Sequence, residues 1–204
     1  SDLSEQRLPL FFPDAAAFAP FAVPHSDAPR ASIVIPVYNQ FAHTLACLRA
    51  IAAHPPAAAI EILAIDDGSS DETGSCLQRI DGLRYHRRAR NGGFIAACND
   101  GARLARGEFL VFLNNDTVPQ PGWLDRLLAT FDEHAGTGLV GAQLIEPDGR
   151  LQEAGASVAA DGTARQFGRG ASPLHPLQAF VREVDYCSGA AIALRREAFA
   201  ADRK

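Results

Sequence analysis

Hydrophobic and polar positions set up a clear rhythm from residue 32 onward. Ser32–Val37 (SIVIPV) is a short, largely β-branched run. Phe41–His54 places apolar residues at helical spacing, and Ile60–Asp66 (IEILAID) is a second apolar run. The pattern then predicts a short helix over Asp71–Ile80, a strand over Leu83–Arg88, a helix over Gly93–Ala105 and a strand over Glu108–Asn114. Strands alternating with helical patterns imply βαβ units and an α/β fold around a mainly parallel sheet.

Past that point the rhythm changes. Gly122–His134 reads as a helix, and two strands flank a turn at Pro147-Asp148-Gly149. Residues 161–180 read as loop. A further strand, a Ser-Gly break and an apolar segment follow in VREVDYCSGAAIALRREAF. Residues 1–30 are rich in Pro, Ala and Phe. Their prolines rule out a regular helix or central strand, so they read as an irregular leader or linker whose phenylalanines dock on a neighbouring surface.

Each of the first four strands ends in residues that a plain loop does not need. These are Pro36-Val37-Tyr38-Asn39, Asp66-Asp67-Gly68-Ser69, Arg90-Asn91-Gly92-Gly93 and Asn114-Asn115-Asp116. In an open parallel sheet all four ends lie along one edge, the edge at which such folds bind ligands. Taken singly, each cluster reads equally well as a cap or turn. Together they suit a nucleoside diphosphate. Asp67 can accept an N–H of a base or a ribose hydroxyl, and the Asn91-Gly92-Gly93 loop allows close backbone approach and opens a helix that favours anions. Asp116 is a hard oxygen ligand for Mg²⁺ or Mn²⁺.

Composition narrows the classes. The 204 residues carry a net charge of −5, so nothing recommends a nucleic acid polymer as partner. No apolar run approaches the roughly 20 residues of a transmembrane helix. Cys47, Cys76, Cys98 and Cys187 are widely spaced, which fits free thiols in a cytoplasmic, reducing compartment rather than a zinc site. No methionine occurs, as expected of an excerpt or an engineered piece of a longer protein. The G-x-G-x-x-G and P-loop signatures are absent, and so is the basic Gly-rich loop of a nucleotidyltransferase.

The motifs SIVIPVYN, ILAIDDGSSDET, RNGGFIAACNDGARLARGEFLVFLNNDT, PGWLD, PDGRLQEAG and VDYCSGAAIALRREAF, in this order, resemble the inverting family-2 glycosyltransferases of the GT-A fold. The bacterial branch that builds surface polysaccharides, including rhamnosyltransferases, is the most similar. The resemblance implies a Rossmann-like three-layer α/β/α domain, with residues 31–120 as the nucleotide-sugar-binding half and 121–204 as an acceptor-side half truncated at its C-terminal end. It places Pro36, Tyr38, Asn39, Asp67, Asn91, Gly92, Gly93 and Asn115 at the nucleotide. Asp116 falls at the metal as the last residue of a D-x-D-like motif, whose first position here is Asn114. Cys187, Ser188 and Gly189 fall beside the acceptor. The implied donor is a UDP- or dTDP-sugar, and the implied acceptor a glycan or lipid-linked glycan. Membrane association is expected only through parts of a longer protein. The catalytic base is expected beyond Lys204, and Glu183 and Asp185 are the nearest carboxylates. A nucleotide-binding regulatory module without transfer activity is the alternative.

Overall fold

The computed structural model describes residues 6–201. Its central sheet has six strands in the order β3-β2-β1-β4-β10-β5. These are β1 (Ala31–Val37), β2 (Ile60–Asp66), β3 (Leu83–Arg87), β4 (Phe109–Leu113), β5 (Leu139–Gly141) and β10 (Ala191–Arg195). β1 pairs in parallel with β2 and β4, and β2 with β3, so four carboxyl ends share one edge. β10 runs antiparallel to both β4 and β5.

The reason these runs are almost uninterruptedly apolar is that both faces of the sheet are covered. Helices α1 (Phe41–Ala53), α2 (Thr73–Leu77) and α4 (Trp123–Glu133) pack on one face against Ile33, Ile35, Ile62, Phe109, Val111 and Leu113. Helix α3 (Phe94–Leu104) covers the other face, against Val34, Leu63, Ile65 and Leu110. There Gly101 is a requirement, because a Cβ at that position would lie 2.2 Å from Val34 Cγ1. Phe199, on α5 (Arg196–Ala201), extends this layer over Phe112.

Between β5 and β10 lie two small hairpins: β6 (Leu144–Ile145) with β7 (Leu151–Glu153), and β8 (Ala156–Val158) with β9 (Ala164–Gln166). The first turns at Pro147-Asp148-Gly149, as the sequence suggests. The second takes three residues from the stretch expected to be loop. Within the expected strand over Val181–Cys187, only an isolated bridge between Tyr186 and Ala156 forms.

The leader from residue 6 lies against the α1 side of the domain without regular structure. Phe18 meets Phe41 edge-on at 5.5 Å between ring centres, and Phe11 meets His54 at 4.5 Å. Arg49 binds the carbonyls of Asp14, Ala16 and Ala17. Such a Pro-rich segment lacks its own hydrogen-bond ladder, so side chains from the domain satisfy it. Residues 1–5 of the leader and 202–204 of the acceptor-side half lie outside the described residues.

Candidate active site

The loops after β1 and β2 are stitched together by short polar side chains. Asn39 and Gln40 both adopt left-handed backbone, with φ of 54° and 58°. The Asn39 amide donates to Ser69 Oγ at 2.7 Å, and its side-chain carbonyl accepts the Ser70 amide at 2.7 Å. Asn39 therefore holds the neighbouring loop and is not among the residues lining the cleft.

Asp66 and Asp67 divide two tasks. Asp66 is fully buried and takes the Ser69 amide at 2.7 Å, the Tyr85 hydroxyl at 2.5 Å and Arg87 at 2.8 Å. Burial alone would raise its pKa. The hydrogen bonds from Tyr85 and Ser69, with the charge of Arg87, outweigh that and hold the carboxyl below its ordinary range.

Asp67 reaches across to the next loop. Its carboxylate accepts the Gly93 amide at 2.7 Å and the Gly92 amide at 3.0 Å, and pairs with Arg88. Arg88 in turn holds Asp100 on α3 at 2.6 Å. A Cβ at Gly92 would sit 2.6 Å from the Arg88 guanidinium, so a side chain there would push Arg88 from its place beside Asp67. The Gly92 and Gly93 amides, expected to face a phosphate, are thus donated to a carboxylate. The Gly92 amide also reaches the second carboxylate oxygen at 3.2 Å, so each oxygen already takes two contacts and a ligand N–H would displace the longer, shared one.

A cleft of about 160 Å³ opens at this point, lined by Pro36, Val37, Tyr38, Asp67, Asn91, Gly93, Phe94 and Ala97. Five of the residues singled out in the sequence therefore meet in one cleft. Val37 was named only as part of its strand-end cluster, and Phe94 and Ala97 were not singled out. Arg88 was also missed: Arg87, Arg88 and Arg90 stand close together ahead of Asn91, and the sequence does not tell which of them faces Asp67.

Beyond β4, Asn115 donates to Thr44 Oγ1 on α1 at 3.0 Å, and Asp116 is exposed. The buried Oδ1 of Asn114 has no hydrogen-bond partner. Among the described residues no group of three or more His, Cys, Asp or Glu side chains is placed to hold an ion. An unpartnered amide oxygen beside an exposed carboxylate fits a Mg²⁺ or Mn²⁺ that draws its remaining ligands from a diphosphate and water.

The Asn114 amide donates to Ala190 O at 2.8 Å, which brings the Cys187-Ser188-Gly189 stretch beside this motif. The buried Glu153 holds that stretch by accepting the Ser188 amide at 2.9 Å. Asp185 is exposed and accepts the Val158 amide at a strand end at 3.0 Å, and Glu183 is exposed. All four cysteines are free thiols. Burial pushes the Cys47 thiol up to about 12, which suits an inert core residue.

The family described as Glycosyl transferase family 2 matches residues 32–201. The chain belongs to this family of glycosyltransferase enzymes. Among curated relatives, the glycosyltransferase AglE of Haloferax volcanii is 33% identical over 119 residues, covering 56% of this chain and 38% of AglE. Two solved glycosyltransferase-family neighbours share the fold. The mannosyltransferase PcManGT from Pyrobaculum calidifontis, in complex with GDP-Man and Mn²⁺, aligns with a TM-score of 0.58 at 20% identity, over 86% of this chain and 47% of that one. Residues 1–349 of S. aureus TarS align with a TM-score of 0.60 at 20% identity, over 85% of this chain and 49% of that one. The chain thus spans less than half the length of each of these three proteins. The GT-A fold expected from the sequence is shown by the two structural likenesses.

Proposed function

We propose that residues 31–120 bind a nucleoside diphosphate sugar, UDP- or dTDP-linked, for inverting, metal-dependent transfer to a glycan or lipid-linked acceptor. The observation that carries this reading is the cleft at the sheet's carboxyl edge, with Asp67 at its back and Asn114 and Asp116 at the next strand end. The complex of PcManGT with GDP-Man and Mn²⁺ supports a nucleotide sugar and a divalent ion as the ligand class.

In this reading Pro36 and Tyr38 border the base, and Asp67 accepts a base N–H in place of the longer, shared contact from the Gly92 amide. Asn91 and Gly93 flank the ribose and phosphates. Asn115, anchored on Thr44, fixes the loop that presents Asp116. Asp116 and Asn114 Oδ1 would hold Mg²⁺ or Mn²⁺, which supplies positive charge to the departing diphosphate. The acceptor hydroxyl attacks the anomeric carbon opposite the leaving group, which inverts the configuration and releases a proton to a base. That proton is not assigned to Glu183 or Asp185, the nearest carboxylates in sequence, or to Glu153. Cys187, Ser188 and Gly189, beside Asn114, flank the acceptor. Four free thiols and the supply of nucleotide sugars support a cytoplasmic location. Among the described residues no helix is long and apolar enough to cross a membrane.

Calorimetry with UDP, dTDP and GDP, with and without Mn²⁺, tests the reading. The wild-type chain should bind UDP or dTDP more tightly with Mn²⁺, and Asp116→Ala should lose that enhancement. If no nucleotide binds under either condition, the donor-site reading fails.

A further inference from the structure

Most aromatic rings of this protein that touch one another do so inside the domain or under the leader: Phe18 on Phe41, Phe109 on Phe131 and Phe112 on Phe199. Tyr38 and Phe94 differ. Each is more than half exposed, at 54% and 53%, and neither ring stacks on another among the described residues. They nevertheless line the same cleft from different elements, Tyr38 from the end of β1 and Phe94 from the first residue of α3.

Both rings are held at their bases. The Asn39 amide beside Tyr38 is fixed on Ser69, and the Gly93 amide beside Phe94 is fixed on Asp67. Gly93, at φ 85°, would meet nothing within 4 Å of an added Cβ, so this side of the cleft mouth is clear. Buried Pro36, Val37 and Ala97 line the remaining apolar wall. Two water-exposed rings on one cleft with an apolar wall, and the Asp67 carboxylate in its lining, suit a flat heteroaromatic ring that carries an edge N–H.

We propose that Phe94 is a donor-binding residue that, with Tyr38, holds the donor's base between two aromatic side chains. The proposal rests on the donor-site reading above and adds a second wall to the base pocket. Stacking depends on the π-face and not on edge pattern, so Phe94 contributes about equally to any base, while Asp67 selects bases with an edge N–H.

Calorimetry on the full 204-residue chain tests it, with UDP, dTDP, GDP and inorganic pyrophosphate as separate probes. Phe94→Ala should weaken each nucleotide that the wild type binds by about tenfold and leave pyrophosphate unchanged, whereas Phe94→Tyr and Phe94→Trp should retain nucleotide affinity. Nucleotide affinity of Phe94→Ala within about twofold of wild type overturns the clamp, as does an equal loss for pyrophosphate. Wild-type protein that binds no nucleotide instead removes the donor site itself, and the clamp with it. Because Phe94 is exposed, thermal melting of the three variants should match wild type. A variant that melts early places the ring in the fold's packing and also overturns the proposal.

Discussion

The Asp67 carboxylate at the end of β2 holds the Gly93 amide at the start of α3 at a distance of 2.7 Å. One acidic side chain therefore fixes the entry to a helix that begins 27 residues later and closes the back of the cleft. Asp67→Asn keeps the shape but replaces one acceptor oxygen with a donor amide, facing Gly92, Gly93 and Arg88. Breaking a buried ion pair costs roughly 3–5 kcal/mol, and Arg88 keeps Asp100, so a loss of about 2 kcal/mol is expected. Urea denaturation checks the value, and an unchanged midpoint contradicts the clamp role.

Gly101→Ala should destabilise the domain even though alanine is the better helix former. The propensity gain is at most about 1 kcal/mol. The new Cβ would stand 2.2 Å from Val34 Cγ1, and overpacking of this kind costs about 1–3 kcal/mol. A net loss of up to about 2 kcal/mol follows, with partial recovery when Val34→Ala is added. Thermal melts of the single and double variants measure both.

Acid should weaken the fold through two buried carboxylates. Burial raises the pKa of Glu61, but hydrogen bonds from Ser32, Arg106 and Arg84 bring it below its ordinary 4.5, and Asp66 lies below its ordinary 3.8. Because both folded pKa values are depressed, the stabilisation is complete above the ordinary values and is lost as pH falls through the folded ones. Glu61→Gln should flatten this acid limb. It should also lower stability at pH 7 by about 2 kcal/mol, less than a fully buried pair because Arg84 and Arg106 are partly exposed. Denaturation midpoints from pH 7 to pH 3 would show both effects, and parallel curves for the two proteins would refute the assignment.

Asn114→Asp restores a second carboxylate beside Asp116. Divalent-ion affinity rises with ligand charge, so Mn²⁺ binding without nucleotide should tighten by about tenfold. Titration calorimetry of Mn²⁺ alone reads this directly. Equal affinities would mean that Asn114 Oδ1 does not face the ion.

The sequence made the fold of residues 31–120 legible because most of its strands are buried on both faces and leave no ambiguity of period. β1, β2 and α1 lie where the apolar runs place them. The stretch from residue 121 onward was harder to read. β5 to β9 have only two or three residues each, too short for any period to declare itself, and β9 lies in a stretch whose polar composition looks like loop. At the site, the clusters at the strand ends were visible as residue types. What each side chain binds was not: Asn39 turns to the neighbouring loop, and the Gly92 and Gly93 amides turn to Asp67. Those outcomes depend on the register between β1, β2 and β3, which the sequence does not print.

The place of β10 in the sheet has a consequence for synthesis. Phe109–Leu113 finds one neighbour, β1, already made, but its other neighbour is Ala191–Arg195. A ribosome adds about 5–20 residues per second, so that apolar strand edge stays open for roughly 4–16 s on the nascent chain. During that interval the half that carries Asp67 can already be folded, while the β4 edge remains open to pairing with another nascent chain. The interval from Leu113 to Ala191 is therefore when this polypeptide most needs a chaperone.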